Sequence, residues 1–251
     1  MPHAKLENLM KNFLRALQTH FPWMHDMRFQ YKLNHSKRTG KPHEHDFNAL
    51  GLFDIPDDKV FIDVGSNRGE GIQSTLITMK GENKIIGFEP NPLVFEKLRS
   101  YFNGNGRVEL HNCGLGATEQ THPLYVPFYR NWMFDGLSSF KKSEAADWLK
   151  TRLSGFKEKR LSIKEVKCDI KTMDSFNLNP GFVKIDVQGF ELEVLKGAVQ
   201  TIEHHKPVML IESISDDVVE FLLPFGYKFY SYENGALIEG KGALNTFCIV
   251  K

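Results

Sequence analysis

Residues 60–71 read VFIDVGSNRGEG, an apolar run that passes straight into a turn built on Gly65, Gly69 and Gly71. Val60, Phe61, Ile62 and Val64 have the character of a strand covered on both faces. Asp63 is the exception, a carboxylate near the end of a segment that otherwise reads as core. The turn beside it lets a ligand approach bare backbone, and the helix start that follows offers unpaired N–H donors. In open α/β sheets ligands bind outside the carboxyl ends of the strands, which is where both features fall.

The alternation continues along the chain. Strands are expected at 60–64, 84–88, 107–111, 182–187, 207–212, 227–231 and 245–250, and helices at 70–80, 92–103, 190–204 and 215–223. In the third of these helices Leu192, Leu195, Val199 and Ile202 form one apolar stripe. Apolar strands separated by amphipathic helices imply a parallel sheet with both faces covered. Near the end, SYENGALIEG places an Asn234-Gly235 turn between two strand-like runs, which implies antiparallel pairing there. There is no internal repeat.

Two regions break the rhythm. Within 117–180, LYVPFYR reads as an edge strand because of Pro127, EAADWLKTRL as a helix, and LSIKEVKCDI as a half-exposed strand. An insertion above the sheet's carboxyl edge is a natural place for substrate selection. At the N-terminus, Leu6, Leu9, Met10, Phe13, Leu14 and Leu17 give 4–19 an amphipathic helical spacing. From Phe21 to Pro56 the chain is rich in His, Pro, Lys and Gly, lacks periodicity, and reads as a loosely structured extension. The expected organisation is therefore an extension over 1–57 and a main domain over 58–251, with the insertion at about 117–180. His35, His43 and His45 in the extension read as surface residues rather than metal ligands.

Composition narrows the classes. The chain has 251 residues, 41% of them hydrophobic and 25% charged, which is ordinary for a soluble globular protein. A formal charge of +1 argues against a broad grip on nucleic acid. Cys113, Cys168 and Cys248 are too few and too scattered for a disulfide framework or a zinc knuckle, and read as buried thiols in a reducing cytoplasm. The N-terminus lacks the apolar core of a signal peptide, and no uncharged run approaches a membrane span. A cytoplasmic protein is expected.

The glycine spacing separates nucleotide classes. A dinucleotide turn needs glycines at positions one, three and six; counted from Gly65 these hold Gly65, Asn67 and Glu70. The wider turn, with Asp63 before it, suits a ligand that has no pyrophosphate and carries a cationic group. The next strand, IIGFEP, ends in Glu89, where a carboxylate can accept both hydroxyl hydrogens of a ribose. The competing reading of Glu89 is a charge at the start of the helix NPLVFEKLRSYF.

FIDVGSNRGEG, GFEPNP and above all FVKIDVQGFELEVLKGA resemble the FkbM family of S-adenosylmethionine-dependent methyltransferases, over about residues 58–250. The last block is specific, whereas the first two are shared with many class I methyltransferases. The resemblance implies a Rossmann-like, mostly parallel sheet of seven strands with the last antiparallel. It implies S-adenosyl-L-methionine as cofactor, with Asp63, Gly65, Asn67 and Gly69 lining its methionine part. Ser66 and Pro90 are further cofactor-lining positions, and Glu89 would hold the ribose. HNCGLG would bring Asn112 and Cys113 near the adenine. The family block usually reads KIDVEG, and here Gln188 replaces its glutamate, so a role needing charge at 188 is in doubt.

Methyl transfer from a sulfonium is an in-line displacement, and a hydroxyl acceptor benefits from a base that takes its proton. Asp186, ending the fourth strand, is the first candidate for that base. Capping the helix near Phe190 or bonding the cofactor amine are its competing roles. Glu212, closing the fifth strand, is the second candidate. The two could share a divalent cation, but no third ligand is evident and no metal is assigned. Glu191 offsets the following helix dipole, and His111 reads as a core or adenine-side residue. FYRNWMFDGLSSF at 128–140 packs five aromatic residues beside Arg130 and Asp135. It suits either a lid over a sugar ring or a set of aromatics buried in the insertion.

The expected function is methyl transfer to a hydroxyl of a small molecule, with a sugar or glycoconjugate implied by the resemblance. A nucleic-acid methyltransferase would want a proline-rich aromatic motif after the fourth strand and a basic face, and has neither. A nicotinamide dehydrogenase fails on glycine spacing. A non-catalytic cofactor-binding relative remains, against which Asp63, Gly65, Gly69 and Glu89 weigh.

Overall fold

The computed structural model describes residues 20–140, 142–143, 149–150, 153 and 155–250. The helix expected at 4–19 and most of the one expected at 144–153 lie outside them. In chain order the strands are β1 (Val60–Val64), β2 (Ile85–Phe88), β3 (Val108–His111), β4 (Gly114–Leu115), β5 (Gln120–Tyr129), β6 (Trp132–Met133), β7 (Leu161–Lys171), β8 (Pro180–Ile185), β9 (Val208–Glu212), β10 (Tyr227–Glu233), β11 (Ala236–Glu239) and β12 (Asn245–Val250). The helices are α1 (Pro22–Thr39), α2 (Glu70–Thr78), α3 (Pro92–Phe102), α4 (Glu191–Lys196), α5 (Val199–His205) and α6 (Asp216–Leu222). The chain divides into two compact units, Met1–Asn34 with His122–Lys167, and His35–Thr121 with Cys168–Lys251.

The larger unit carries an eight-stranded sheet in the order β11-β10-β12-β9-β8-β1-β2-β3. Its central strands pair in parallel, and β12 runs antiparallel between β9 and β10. The expectation of seven strands is corrected by β11. Asn234 (φ 52°) and Gly235 (φ 86°) form a two-residue turn of the kind that matches strand twist, and it closes β10 onto an eighth, edge strand.

Two apolar layers cover this sheet. On one face Phe61, Phe182, Leu210 and Phe247 meet Ile72 of α2, Leu98 of α3 and Phe47. On the other Ile62, Val183 and Ile211 meet Val194, Ile202 and Val218 from the three later helices. Each such side chain contributes about 1.5–3 kcal/mol by leaving water. That supply of apolar area lets the strand tips carry polar groups.

Two further expectations change. The helix expected over 190–204 breaks into α4 and α5 at Gly197-Ala198. A Cβ at Gly197 would overlap the Gly116 carbonyl, and the Gly197 carbonyl accepts the Asp174 amide at 3.0 Å. The Asp174 carboxylate then caps α5, accepting from the amides of Gln200 (3.1 Å) and Thr201 (2.9 Å). The segment Phe21–Pro56 is also more regular than expected, since α1 occupies 18 residues of it. Its periodicity is hidden because Trp23 (59% exposed), Met27 and Tyr31 (70%) lie on the outer side while Leu33 is buried.

The smaller unit is a knot of rings. Chain reversal at Arg130 (φ 57°) pairs β5 with β6, Tyr129 opposite Trp132. His25 of α1 lies 4.4 Å from Trp132 and 4.8 Å from Phe29, and Trp132 stacks 5.7 Å from Phe134. Tyr129 and Trp132 are buried, so these two aromatics of the 128–140 segment are packed inside the unit. Among the described residues no helix is long and apolar enough to cross a membrane.

Candidate active site

The polar site grows out of the register of the main sheet. Side chains on a strand alternate between faces, so Asp63 shares a face with Phe61, and Lys184 and Asp186 share one with Phe182. Phe61 pairs with Phe182, and two residues on Asp63 pairs directly with Lys184. Lys184 is also the partner of Leu210, and Glu212 is the partner of Asn245. The sheet face that is apolar at mid-strand therefore becomes a row of ionisable groups at its carboxyl edge.

The first part of that edge is built from backbone. Gly65 has φ 82° and packs so tightly that a Cβ would overlap the Asp186 carbonyl oxygen. Gly65 and Ser66 both donate their amides to the Phe88 carbonyl at 3.0 Å, tying the turn to β2. The Ser66 hydroxyl donates to the Asp63 carbonyl at 2.9 Å. Asn67 follows in a left-handed conformation (φ 45°), which aims its amide at Glu89 Oε2, 2.8 Å away. Glu89 Oε1 accepts the Asn91 amide, also at 2.8 Å, on the far side of Pro90. With its side chain held from both flanks, Glu89 is only 6% exposed. Gly69 (φ 91°) starts α2 against Phe102, and a side chain there would collide with that ring.

On the β3 side, Asn112 donates to the Glu89 carbonyl at 2.8 Å and so joins the same corner. Cys113 follows it in the chain. It is buried in the apolar layer, and burial pushes the thiol up to about 11. His111 stacks on Phe88 and pairs with Glu109 at 2.9 Å.

The second part of the edge is built from side chains. Asp63 is 2% exposed, and neither of its carboxylate oxygens has a hydrogen-bond partner among the described residues. Gly71 of α2 closes over it, where a Cβ would stand 3.0 Å from Asp63 Oδ1. The positive group that Asp63 faces is Lys184 Nζ, 3.5 Å away. The same ammonium lies 3.3 Å from Asp186 Oδ2. Burial works against the lysine's charge, but the carboxylates of Asp186, Asp63 and Glu44 together outweigh it and hold the ammonium above its usual range.

Asp186 follows the last residue of β8, its amide donating to the Val64 carbonyl at 3.0 Å. Its Oδ1 accepts from Gln188 Nε2 at 2.9 Å. Gln188 (φ 54°) and Gly189 (φ 92°) turn the chain sharply, and Gly189 donates to Glu191 at 3.0 Å. The residue at 188 thus acts as a neutral donor to Asp186. Burial raises the Asp186 carboxyl, yet Lys184 and the hydrogen bonds from Glu212 and Gln188 bring it below its usual range. Glu212 moves the opposite way. Burial, the hydrogen bond to Asp186 and that residue's negative charge push it up to about 8. A raised Glu212 carboxyl beside a lowered Asp186 carboxylate is the arrangement in which two adjacent carboxyls can share one proton.

Four partners of this network, Asn245, Glu44, Asp46 and His43, carry no signal in the local sequence pattern that places them here. Asn245 donates to Glu44 Oε2 at 2.9 Å and to Asp46 Oδ2 at 2.8 Å. His43 lies 3.5 Å from Glu44 and 2.8 Å from the Ser74 hydroxyl, so the histidine-rich stretch serves the rim of the site. Lys184 had a readable signal, a charged residue inside an otherwise apolar buried strand. Among the described residues no three His, Cys, Asp or Glu side chains are grouped to hold a metal.

Comparison with known proteins agrees with this architecture. A model of the methyltransferase FkbM domain matches residues 63–229. A Beauveria bassiana protein named methyltransferase 1 is 29% identical over 156 residues, covering 57% of this chain and 59% of the relative. The hexuronic acid methyltransferase AglP of Haloferax volcanii is 29% identical over 161 residues, covering 64% of this chain and 58% of its own. This chain thus spans somewhat under two thirds of either relative's length. The crystal structure of methyltransferase FkbM from Methylobacillus flagellatus superposes with a TM-score of 0.50 at 18% identity, over 82% of this chain and 48% of that one. At that identity the likeness speaks for the fold, a class I, Rossmann-like methyltransferase fold.

Proposed function

We propose, for a chain that belongs to the FkbM methyltransferase family, that it moves a methyl group from S-adenosyl-L-methionine to a hydroxyl of a sugar or sugar conjugate. The observation that carries the reading is Glu89, a buried carboxylate held between the Asn67 and Asn91 amides at the tip of β2. Two amides fix the plane of its oxygens, the geometry needed to accept two neighbouring ribose hydroxyls. The same turn leaves Asn67 Oδ1 buried without a hydrogen-bond partner among the described residues, an acceptor suited to an ammonium group. The residues present therefore fit the cofactor's ribose and amino acid parts, with Gly65, Ser66 and Gly69 keeping the turn bare. Bound there, the cofactor supplies an electrophilic methyl on a sulfonium.

The chain's own part in the reaction falls to Asp186. Ionised and oriented by Lys184 and Gln188, it accepts the proton of the acceptor hydroxyl as that oxygen bonds to carbon. Glu212, holding the pair's proton, orients Asp186 by donating to it. A hydroxyl-rich acceptor suits a wall of carboxyl groups, and the resemblance to a hexuronic acid methyltransferase supports a sugar.

Calorimetry with S-adenosylhomocysteine tests the cofactor, and mass spectrometry of a panel of sugars incubated with the protein and S-adenosylmethionine tests the acceptor. Binding accompanied by a 14 Da gain on a sugar hydroxyl, about the mass of one added CH2 unit, is expected. Absence of nucleoside binding at millimolar concentration would overturn the cofactor reading. Methylation confined to non-sugar acceptors would overturn the sugar.

A further inference from the structure

We propose that Lys184 is a positioning residue which decides where the proton shared by Asp186 and Glu212 resides. The inference rests on the proposed role of Asp186, but it concerns a residue to which neither the resemblance nor the cofactor assignment gives a role.

Four observations carry it. Lys184 lies inside a central strand and is 8% exposed, so its charge is not a surface accident. It is the register partner of Asp63 on β1 and shares a face with Asp186, two residues on and just past the end of β8. Its ammonium reaches both, at 3.5 Å and 3.3 Å. Finally, Asp63 is buried without a hydrogen bond among the described residues, so the ammonium is the counter-charge that the structure supplies for it.

The groups facing this centre come from every neighbouring element. Asp63 comes from β1, Asp186 from the end of β8, Glu212 from β9, and Glu44 from the segment before the 3-10 turn His45–Leu52. Glu44 is itself held by His43 and Asn245, and Asp46 shares that asparagine. Without a cation, Asp186 would keep only the Gln188 amide as a donor from outside the pair, and either carboxyl could keep the proton. Lys184 adds to that donor the charge that decides between them, because it contacts Asp186 directly. The ionised member becomes Asp186, anchored through Lys184 to Asp63, and the protonated member becomes Glu212. Asp63 is thereby part of the acid–base apparatus as a remote tether.

Removing the ammonium alone would strand Asp63 as an unpaired buried charge, so the decisive variant removes both, as Lys184→Met with Asp63→Asn. Lys184→Arg, with Asp63 intact, is the conservative arm. The full chain, selectively labelled with 13C at Asp and Glu carboxyls, is titrated by NMR, with Asp186→Asn and Glu212→Gln assigning the two signals and circular dichroism confirming folding. In the parent, Glu212 should take up the proton between about pH 6 and 9 while Asp186 stays ionised. In the double variant Asp186 should titrate at least one pH unit higher than in the parent, and Lys184→Arg should leave it where the parent has it. An unchanged Asp186 midpoint in a folded double variant overturns the proposal. So does a parent in which Asp186, not Glu212, takes up the proton, a result that needs no variant to fold. Because no acceptor is present, failure to methylate sugars would refute the proposed function without touching this outcome.

Discussion

At the tips of β1 and β2 a carboxylate is held by main-chain amides, those of Asn67 and Asn91. At the tips of β8 and β9 two carboxyls are held by side chains, Lys184, Gln188 and each other. The first arrangement keeps its shape as long as the turn keeps its dihedrals. The second depends on charges that titrate. Amides lock a group in one orientation, whereas side chains leave a group free to change protonation. Under the proposed function, recognition of the cofactor falls to backbone and proton handling to side chains.

The largest expected effect comes from the side-chain corner. Asp186→Asn should lower turnover about 100- to 10,000-fold while leaving S-adenosylhomocysteine affinity within about threefold, measured by labelled methyl transfer and calorimetry. Loss of affinity equal to the loss of turnover would mean that Asp186 belongs to the recognition corner instead. Next, Glu89→Ala should weaken S-adenosylhomocysteine binding by on the order of 100-fold or more, since two charge-assisted hydrogen bonds are lost. If that variant binds as the parent does, the backbone-held corner does not recognise a ribose.

Gly65→Ala probes the contact between the corners. Its Cβ would meet the Asp186 carbonyl at a positive φ, and we expect a stability loss of about 3 kcal/mol, read from urea denaturation. A variant as stable as the parent would show that the corners are not in close contact.

The pH dependence of stability gives a smaller effect with a definite sign. Glu212 is raised in the fold to about 8, above its unfolded value, so its favourable contribution is complete at low pH and is lost as pH climbs towards 8. Asp186 is lowered, so its contribution is present at neutral pH and is lost as the solution is acidified. Glu212→Gln, which cannot ionise, should flatten the decline between about pH 5 and 8 in the urea midpoint. An unaltered slope would place the shared proton elsewhere.

The two corners also differ in how far the sequence reveals them. Glu89 and the Gly65–Gly69 turn follow one another at strand–turn–helix spacing, a local pattern that short-range reasoning can read. The strands were legible for a related reason, since a parallel strand covered on both faces is a nearly continuous apolar run. Asn245 and Glu44, by contrast, meet across 201 positions, and nothing near either residue foretells the other. The break between α4 and α5 depends on Gly116 and Asp174, which belong to other parts of the chain. α1 was hidden because it carries large apolar groups on its solvent side as well as its inner side. What sequence reasoning missed is what distant segments build together.

The near-contact of Gly65 with the Asp186 peptide has a bearing on redesign. The turn proposed to hold the nucleoside and the strand proposed to accept the proton meet without an intervening side chain, so neither can be shifted while the other stays in place. An engineer wishing to enlarge the adenosine pocket to take a bulkier synthetic donor would find this hinge-free junction the wrong place to cut.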